Sequence, residues 1–212
     1  MLRFSRDLAT THVPVILTAL LLLAIGYLLG AIPSGYLAGR WLKGIDLRDC
    51  GSGSTGATNV LRNVGKGPAL VVFLIDVGKG ALAVLLAKSV GLNDWVQVLA
   101  GLAALAGHIW PVWLGWKGGK AVATGLGMFL GLAWPVGLAS FGLFMATISL
   151  SRIVSLASVV AAIGLPVLML VAGNSSAYEV VSLVASSMVI WRHRSNIQRL
   201  MAGTEPRIGQ KQ

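Results

Sequence analysis

The sequence predicts an all-α fold: a polytopic transmembrane helix bundle of about seven helices, with the N-terminus outside and the C-terminus cytoplasmic. Three observations predict it. First, only 11% of the 212 residues are charged against 56% hydrophobic, and the mean hydropathy is +0.80, whereas a soluble domain carries roughly 25% charged residues. Second, residues 12–39, 95–116, 121–151 and 153–178 contain no Lys, Arg, Asp or Glu, and each reaches the ~20 residues that cross a hydrocarbon core. Third, the basic residues gather in segments that a seven-helix count places on one face, which the positive-inside bias makes cytoplasmic. The net charge of +10 therefore reads as loop charge, and no nucleic-acid partner is expected. The single Cys50 forms no internal disulfide. With no room for a soluble domain, residues 1–212 read as one membrane domain.

The elements follow in order. A first apolar segment, about Pro14 to Leu37, exceeds the 7–15-residue core of a signal peptide and reads as a retained helix. A polar, glycine-rich loop runs from Arg40 to Lys66. The second helix, about Pro68 to Lys88, carries Asp76 and Lys79 inside an apolar run, three apart on one face. The third spans about Trp95 to Trp113 and leads into Lys117-Gly118-Gly119-Lys120. Ala121 to Ser151 would make about 46 Å of helix, too long for one crossing. Pro135 lies near its middle and breaks helices, so the segment reads as a hairpin of two short helices. The sixth helix is about Ile153 to Ala172 and the seventh about Ala177 to Trp191. A basic tail follows, with Arg192, Arg194, Arg199, Arg207 and Lys211. Trp41, Trp95, Trp110, Trp113, Trp134 and Trp191 sit near helix ends, where amphipathic rings favour the headgroup zone.

The polar clusters share one chemistry. In Cys50–Arg62, three glycines allow backbone N–H groups to turn inward as an anion nest. Ser52, Gly53, Ser54, Thr58 and Asn59 add donors, and Arg62 can grip a phosphate bidentately. The plain alternative is a flexible Gly/Ser connector. Gly51-x-Gly53-x-x-Gly56 spells a dinucleotide fingerprint, but no strand precedes it and no βαβ unit surrounds it. Lys117, Gly118, Gly119 and Lys120 open directly into a helix N-terminus, a ready anion site, or else form an ordinary basic loop. His108 reads as a packed, hydrogen-bonded histidine. Asp76 and Lys79 form either an internal pair or a functional one. Ser151, Ser155 and Ser158 fit one helical stripe beside Arg152. His193 and Asn196 fit one face of the helix entering the cytoplasm. All these clusters fall on one side of the membrane and all suit a phosphate, while the helices beneath suit a fatty chain.

The ordered set resembles the bacterial acyl-phosphate:glycerol-3-phosphate acyltransferases. It comprises Pro33-Ser34-Gly35-Tyr36, the Gly51–Arg62 loop, Asp76-Val77-Gly78-Lys79-Gly80, Gly107-His108 through Lys117-Gly118-Gly119-Lys120, Arg152 through Ser158, and His193-x-x-Asn196-Ile197-x-Arg199-Leu200. The resemblance implies transfer of a fatty acyl group from acyl-phosphate to the 1-hydroxyl of glycerol 3-phosphate, giving lysophosphatidic acid and phosphate. It also implies a cytoplasm-facing site in the bacterial inner membrane among membrane lipid, with no cofactor and no metal. Arg62, His193 and Asn196 are the expected catalytic residues. Ser52, Gly53, Ser54, Thr58, Asn59, Lys117, Gly118, Gly119, Lys120, Ser155 and Ser158 are the expected substrate-binding ones. One departure stands in the first loop, where Ser54 replaces the usual Asn. The alternative reading is a transporter of phosphorylated metabolites, for which internal repeats would be the sign; the sequence has no repeat at a fixed period.

Overall fold

A computed structural model describes residues 2–210, with side chains from Val15 onward; Lys211 of the basic tail lies outside them. Among the described residues it is all-α. The ten α-helices are α1 Leu2–Ala31, α2 Ser34–Lys43, α3 Ala57–Asn63, α4 Lys66–Ser89, α5 Asp94–Ile109, α6 Val122–Leu132, α7 Trp134–Ser151, α8 Val154–Val171, α9 Ser176–Arg192 and α10 Arg194–Met201, with a 3-10 turn at Val112–Leu114. By length and apolarity, five segments among the described residues can cross a membrane: Val15–Lys43, Lys66–Ser89, Asp94–Leu114, Trp134–Ser151 and Val154–Val171. Val122–Leu132 is apolar but shorter, and α9 has 17 residues. All seven apolar segments read from the sequence are thus helical, whereas five meet the length for a full crossing.

Several boundaries differ from the sequence expectation. The first segment does not continue to Leu37: it stops at Ala31, and α2 starts anew after Pro33, because proline removes an N–H and clashes with the preceding turn. The charged pair inside α4 repairs that break. Lys79 Nζ donates to the carbonyl of Ile32 at 3.2 Å, Ser34 Oγ donates to Asp76 Oδ1 at 2.7 Å, and Lys79 pairs with Asp76 at 2.8 Å. The Ala121–Ser151 stretch does split before Pro135, but into unequal pieces of 11 and 18 residues. Ser151 ends α7, Arg152 has φ +60 and α8 starts at Val154, so the Ser151–Ser155–Ser158 stripe does not exist as one helix face. Likewise His193 is the junction between α9 and α10, not a mid-helix position. The loop from Arg40 to Lys66 contains α3 and the last four residues of α2.

Glycines let the bundle close. A Cβ on Gly30 would overlap the Ala104 carbonyl, one on Gly80 the Thr124 carbonyl, and one on Gly127 the Val77 carbonyl. α1 accordingly packs on α5, and α4 on α6, with backbones close enough that van der Waals contact replaces the hydrophobic drive that lipid cannot supply. α7, α8 and α9 pack in sequence. Leu105, Met128, Phe129, Leu132, Val136, Leu165, Met169 and Val181 form the main buried core. Leucines such as Leu17, Leu20, Leu70, Leu74 and Leu170 face outward, as a lipid-facing surface requires.

Candidate active site

One end of the bundle holds a cavity of about 130 Å³. Its lining gathers residues far apart in sequence: Ser52, Ser54, Thr58, Asn59 and Arg62 from the first loop and α3, Lys120 before α6, Ser155 and Ser158 on α8, and His193 and Asn196 at the α9–α10 junction. Phe73, Asp76 and His108 form part of the same wall, as do Phe144 and Glu205. The first residues of α3, α6 and α8, together with Asn196 near the start of α10, lie on this lining. The free N–H groups and positive dipole ends of those helices therefore converge on one space, a setting for anions. The two short helices, α3 and α10, add less.

The first loop is organised by Asn59. Its Nδ2 lies within hydrogen-bond distance of the carbonyls of Leu47, Cys50 and Ser54, and its Oδ1 accepts from the Ser52 N–H at 3.2 Å. Gly51, at φ +54, has to be glycine because a Cβ would press on that amide oxygen. Asn59 thus shapes the loop rather than offering free donors. The Ser52 hydroxyl and the Arg62 guanidinium make no hydrogen bond or ion pair among the described residues, and both are exposed on the cavity side.

The Lys-Gly-Gly-Lys loop departs from expectation. The N–H groups of Gly118 and Gly119 donate to the carbonyls of Ile109 and His108 at 3.1 and 3.0 Å, so they close the end of α5 and are not available to an anion. A Cβ on Gly119 would overlap the His108 ring. His108 itself lies 3.2 Å from Thr124 Oγ1, a packed and hydrogen-bonded histidine. Gly53, Lys117 and Gly118 line a separate surface cleft with Asp46, Arg48, Asp49, Trp116 and Arg192. Only Lys120 of the four carries its side chain into the cavity. Its Nζ donates to Asn196 Oδ1 at 2.6 Å.

That bond begins a network that sequence reasoning missed. Asn196 Nδ2 donates to Glu205 Oε1 at 2.6 Å, Ser155 Oγ donates to the same oxygen at 2.7 Å, and Arg199 Nε donates to Glu205 Oε2 at 2.7 Å. Asn196 and Ser155 therefore spend their polar atoms holding Lys120 and the tail, and Ser158 Oγ donates to the Val154 carbonyl. His193 is different. Its Nδ1 faces the Val189 carbonyl at 2.8 Å, and because a carbonyl only accepts, Nδ1 carries the proton and Nε2 keeps a lone pair.

Three comparisons with known proteins bear on this arrangement. The family model for glycerol-3-phosphate acyltransferase matches residues 20–203. The chain belongs to the glycerol-3-phosphate acyltransferase family. A family relative from Parasynechococcus marenigrum, called glycerol-3-phosphate acyltransferase, is 87% identical over 211 residues, 100% of both chains. A crystal structure of an integral membrane glycerol 3-phosphate acyltransferase, PlsY (YgiH), in its glycerol 3-phosphate form has a TM-score of 0.87 at 43% identity, covering 91% of this chain and 96% of that one. Its lysophosphatidic acid form has a TM-score of 0.84 at 42% identity, with the same coverage. The transporter alternative gives way to acyltransfer on these matches.

Electrostatics in this family member follow from burial. Removal from water pushes the Lys120 ammonium down to about 8; Glu205 opposes this, while Arg199, Arg192 and Arg62 add to it. Burial likewise pushes His193 down to about 4, against the bond to Val189 and with Lys120 and Arg192 repelling a second positive charge. For Glu205, burial alone would raise the carboxyl, but hydrogen bonds from Asn196, Ser155 and Arg199 together hold it below its ordinary value. A lone carboxylate in a basic tail was the sequence signal for Glu205. Glu205→Ala removes an acceptor shared by three buried or half-buried donors, and we expect a loss of about 3 kcal/mol, read as a lower thermal midpoint in detergent.

Proposed function

We propose that Arg62, Lys120 and the surrounding helix N-termini hold the two phosphates of this reaction, and that His193 Nε2 takes the proton of the attacking hydroxyl. The enzyme transfers an acyl group from acyl-phosphate to glycerol 3-phosphate, forming lysophosphatidic acid. The glycerol 1-hydroxyl oxygen bonds to the acyl carbonyl carbon, the acyl–oxygen bond of the mixed anhydride breaks, and inorganic phosphate leaves with the electron pair. The anhydride is already activated, so no covalent enzyme intermediate is needed. Placing the hydroxyl against the carbonyl supplies most of the rate. Ser52, Thr58 and Arg62 face one phosphate; Lys120 and the start of α6 face the other. Asn196, Ser155 and Glu205 position Lys120 without touching substrate.

One observation carries this reading: the polar cavity continues into an apolar groove, with Phe73, Val122, Ala123, Phe144 and Ser158 lining both. A cationic chamber opening into a groove between membrane helices matches a phosphate headgroup with a fatty chain. The test is purified protein with palmitoyl-phosphate and glycerol 3-phosphate. Phosphate and lysophosphatidic acid should appear one to one, with none from acyl-CoA; folded protein that forms no product overturns the reading.

Lys120 sets a pH dependence. Because its folded value lies near 8, it is charged below that pH and loses its charge above it. We expect kcat/KM for acyl-phosphate to fall as pH rises through about 8. Lys120→Arg, whose guanidinium stays charged, should hold its own lower value flat to beyond pH 9. A wild-type profile level from pH 7 to 9.5 would remove Lys120 from phosphate binding.

The site faces the cytoplasm of a bacterial cell, in a multi-pass inner-membrane protein with seven helices crossing or entering the bilayer and its N-terminus outside. The basic loops support this orientation, and a site drawing on Ser52 through Glu205 supports a single domain. Cys50, the only cysteine, offers the check. A membrane-impermeant maleimide should label it in inverted vesicles and not in spheroplasts.

A further inference from the structure

The groove beneath the polar cavity has a definite depth. Among the helices that line it, α6, α7 and α8 give the same measure. On α6 the lining runs from Val122 at the shared mouth to Phe129, on α7 from Phe144 to Gly137, and on α8 from Ser158 to Leu165. On α9 the lining runs from Val189 past Ser186 to Ala185. Seven residues of α-helix rise about 10.5 Å. Below that level the space is closed by Leu132, Val136 and Met169, at most 5% exposed and packed with Phe129 and Leu165 into one core. Ser186 Oγ stands near this deep end without a hydrogen-bond partner among the described residues.

We infer that the enzyme reads only about the first eight carbons of the acyl chain and leaves the remainder in the bilayer. This rests on the groove being the acyl site. A fully extended chain advances about 1.25 Å per carbon, given C–C bonds of about 1.5 Å, so about 10.5 Å of groove holds about eight carbons. Carbons beyond them leave sideways, past α7, whose outer face is exposed to lipid along most of its length. Outside the groove a methylene meets lipid tails as apolar as the protein wall, so it adds no selectivity. Inside, each missing methylene forfeits contacts with the wall. The chain-length profile is therefore a step: steep below about eight carbons and level above.

The experiment compares hexanoyl-, decanoyl-, palmitoyl- and stearoyl-phosphate at matched mole fraction in vesicles, with full-length wild type and Ser186→Leu. The Ser186 hydroxyl has no hydrogen bond to lose among the described residues, and a leucine there fills the deep end of the groove. In the wild type, decanoyl to stearoyl should agree within about twofold, and hexanoyl should fall roughly tenfold below them. In Ser186→Leu, hexanoyl turnover should stay near wild type, which reports a folded site, while the three longer donors drop together. A wild type that separates decanoyl from palmitoyl or stearoyl by more than fivefold, with Ser186→Leu still selective against long chains, overturns the eight-carbon limit and leaves the groove as the acyl site. If Ser186→Leu and a second filling variant, Ala162→Leu, both keep wild-type rates with every donor, the groove assignment itself falls. Loss of hexanoyl turnover in Ser186→Leu shifts the comparison to Ala162→Leu, to which the same outcomes apply.

Discussion

Arg62→Ala should abolish detectable turnover, with kcat/KM falling about 10³-fold. Arg62 stands exposed at the cavity wall with no hydrogen-bond or ion-pair partner among the described residues, so its removal leaves no buried group stranded and costs the fold little. Its loss removes a planar, permanently charged fork that can take two phosphate oxygens at once. A structural role would predict a lower melting point with the remaining folded fraction active, whereas a phosphate role predicts an unchanged melting point and an inactive protein. Arg62→Lys keeps the charge but not the fork, and should recover only part of the rate. Purified Arg62→Ala with wild-type kcat and KM would remove this residue from the mechanism.

His193→Gln should lower kcat about 10²- to 10³-fold with little change in KM. The substitution is chosen from the geometry. A glutamine amide can still donate toward the Val189 carbonyl, which His193 Nδ1 engages at 2.8 Å, but it brings no imidazole lone pair to the cavity. Burial holds the free enzyme's imidazole near 4, so it is neutral at physiological pH and its Nε2 lone pair is free to accept a hydrogen bond from the hydroxyl. The same displacement has a consequence for stability. Between about 6.5 and 4 the unfolded chain protonates this histidine first, so the contribution of neutral His193 is complete above about 6.5 and is lost as pH falls through that window. If His193→Gln lost less than tenfold in kcat, the proton would go instead to a substrate phosphate, leaving His193 to orient the hydroxyl.

The membrane bundle was legible because composition and uncharged run length answer to a single physical constraint, the thickness of a hydrocarbon layer in which every backbone group has to be satisfied internally. Seven apolar segments could be read for that reason, and Pro135 marked the split between α6 and α7. The break at Ile32–Pro33 was equally visible as a proline but lay inside an apolar run, where the repairing Lys79 and Ser34–Asp76 bonds come from distant sequence. α3 was hidden in a glycine-rich loop because seven residues are too few for a periodic signal.

The residue types of the site were also determined by sequence alone: glycines and hydroxyls before an arginine, a lysine opening a helix, a histidine and an asparagine near a basic tail. Which of their atoms remain free was decided only by the tertiary structure. Gly118 and Gly119 look like anion donors, yet their N–H groups are consumed by the end of α5. Asn59, Asn196 and Ser155 look like substrate contacts, yet they hold a loop, a lysine and a glutamate. A hydrogen-bonding group serves one geometry at a time, and in a buried site the nearest protein partner takes it first. Sequence names the donors and acceptors, while packing decides which are left for the substrate.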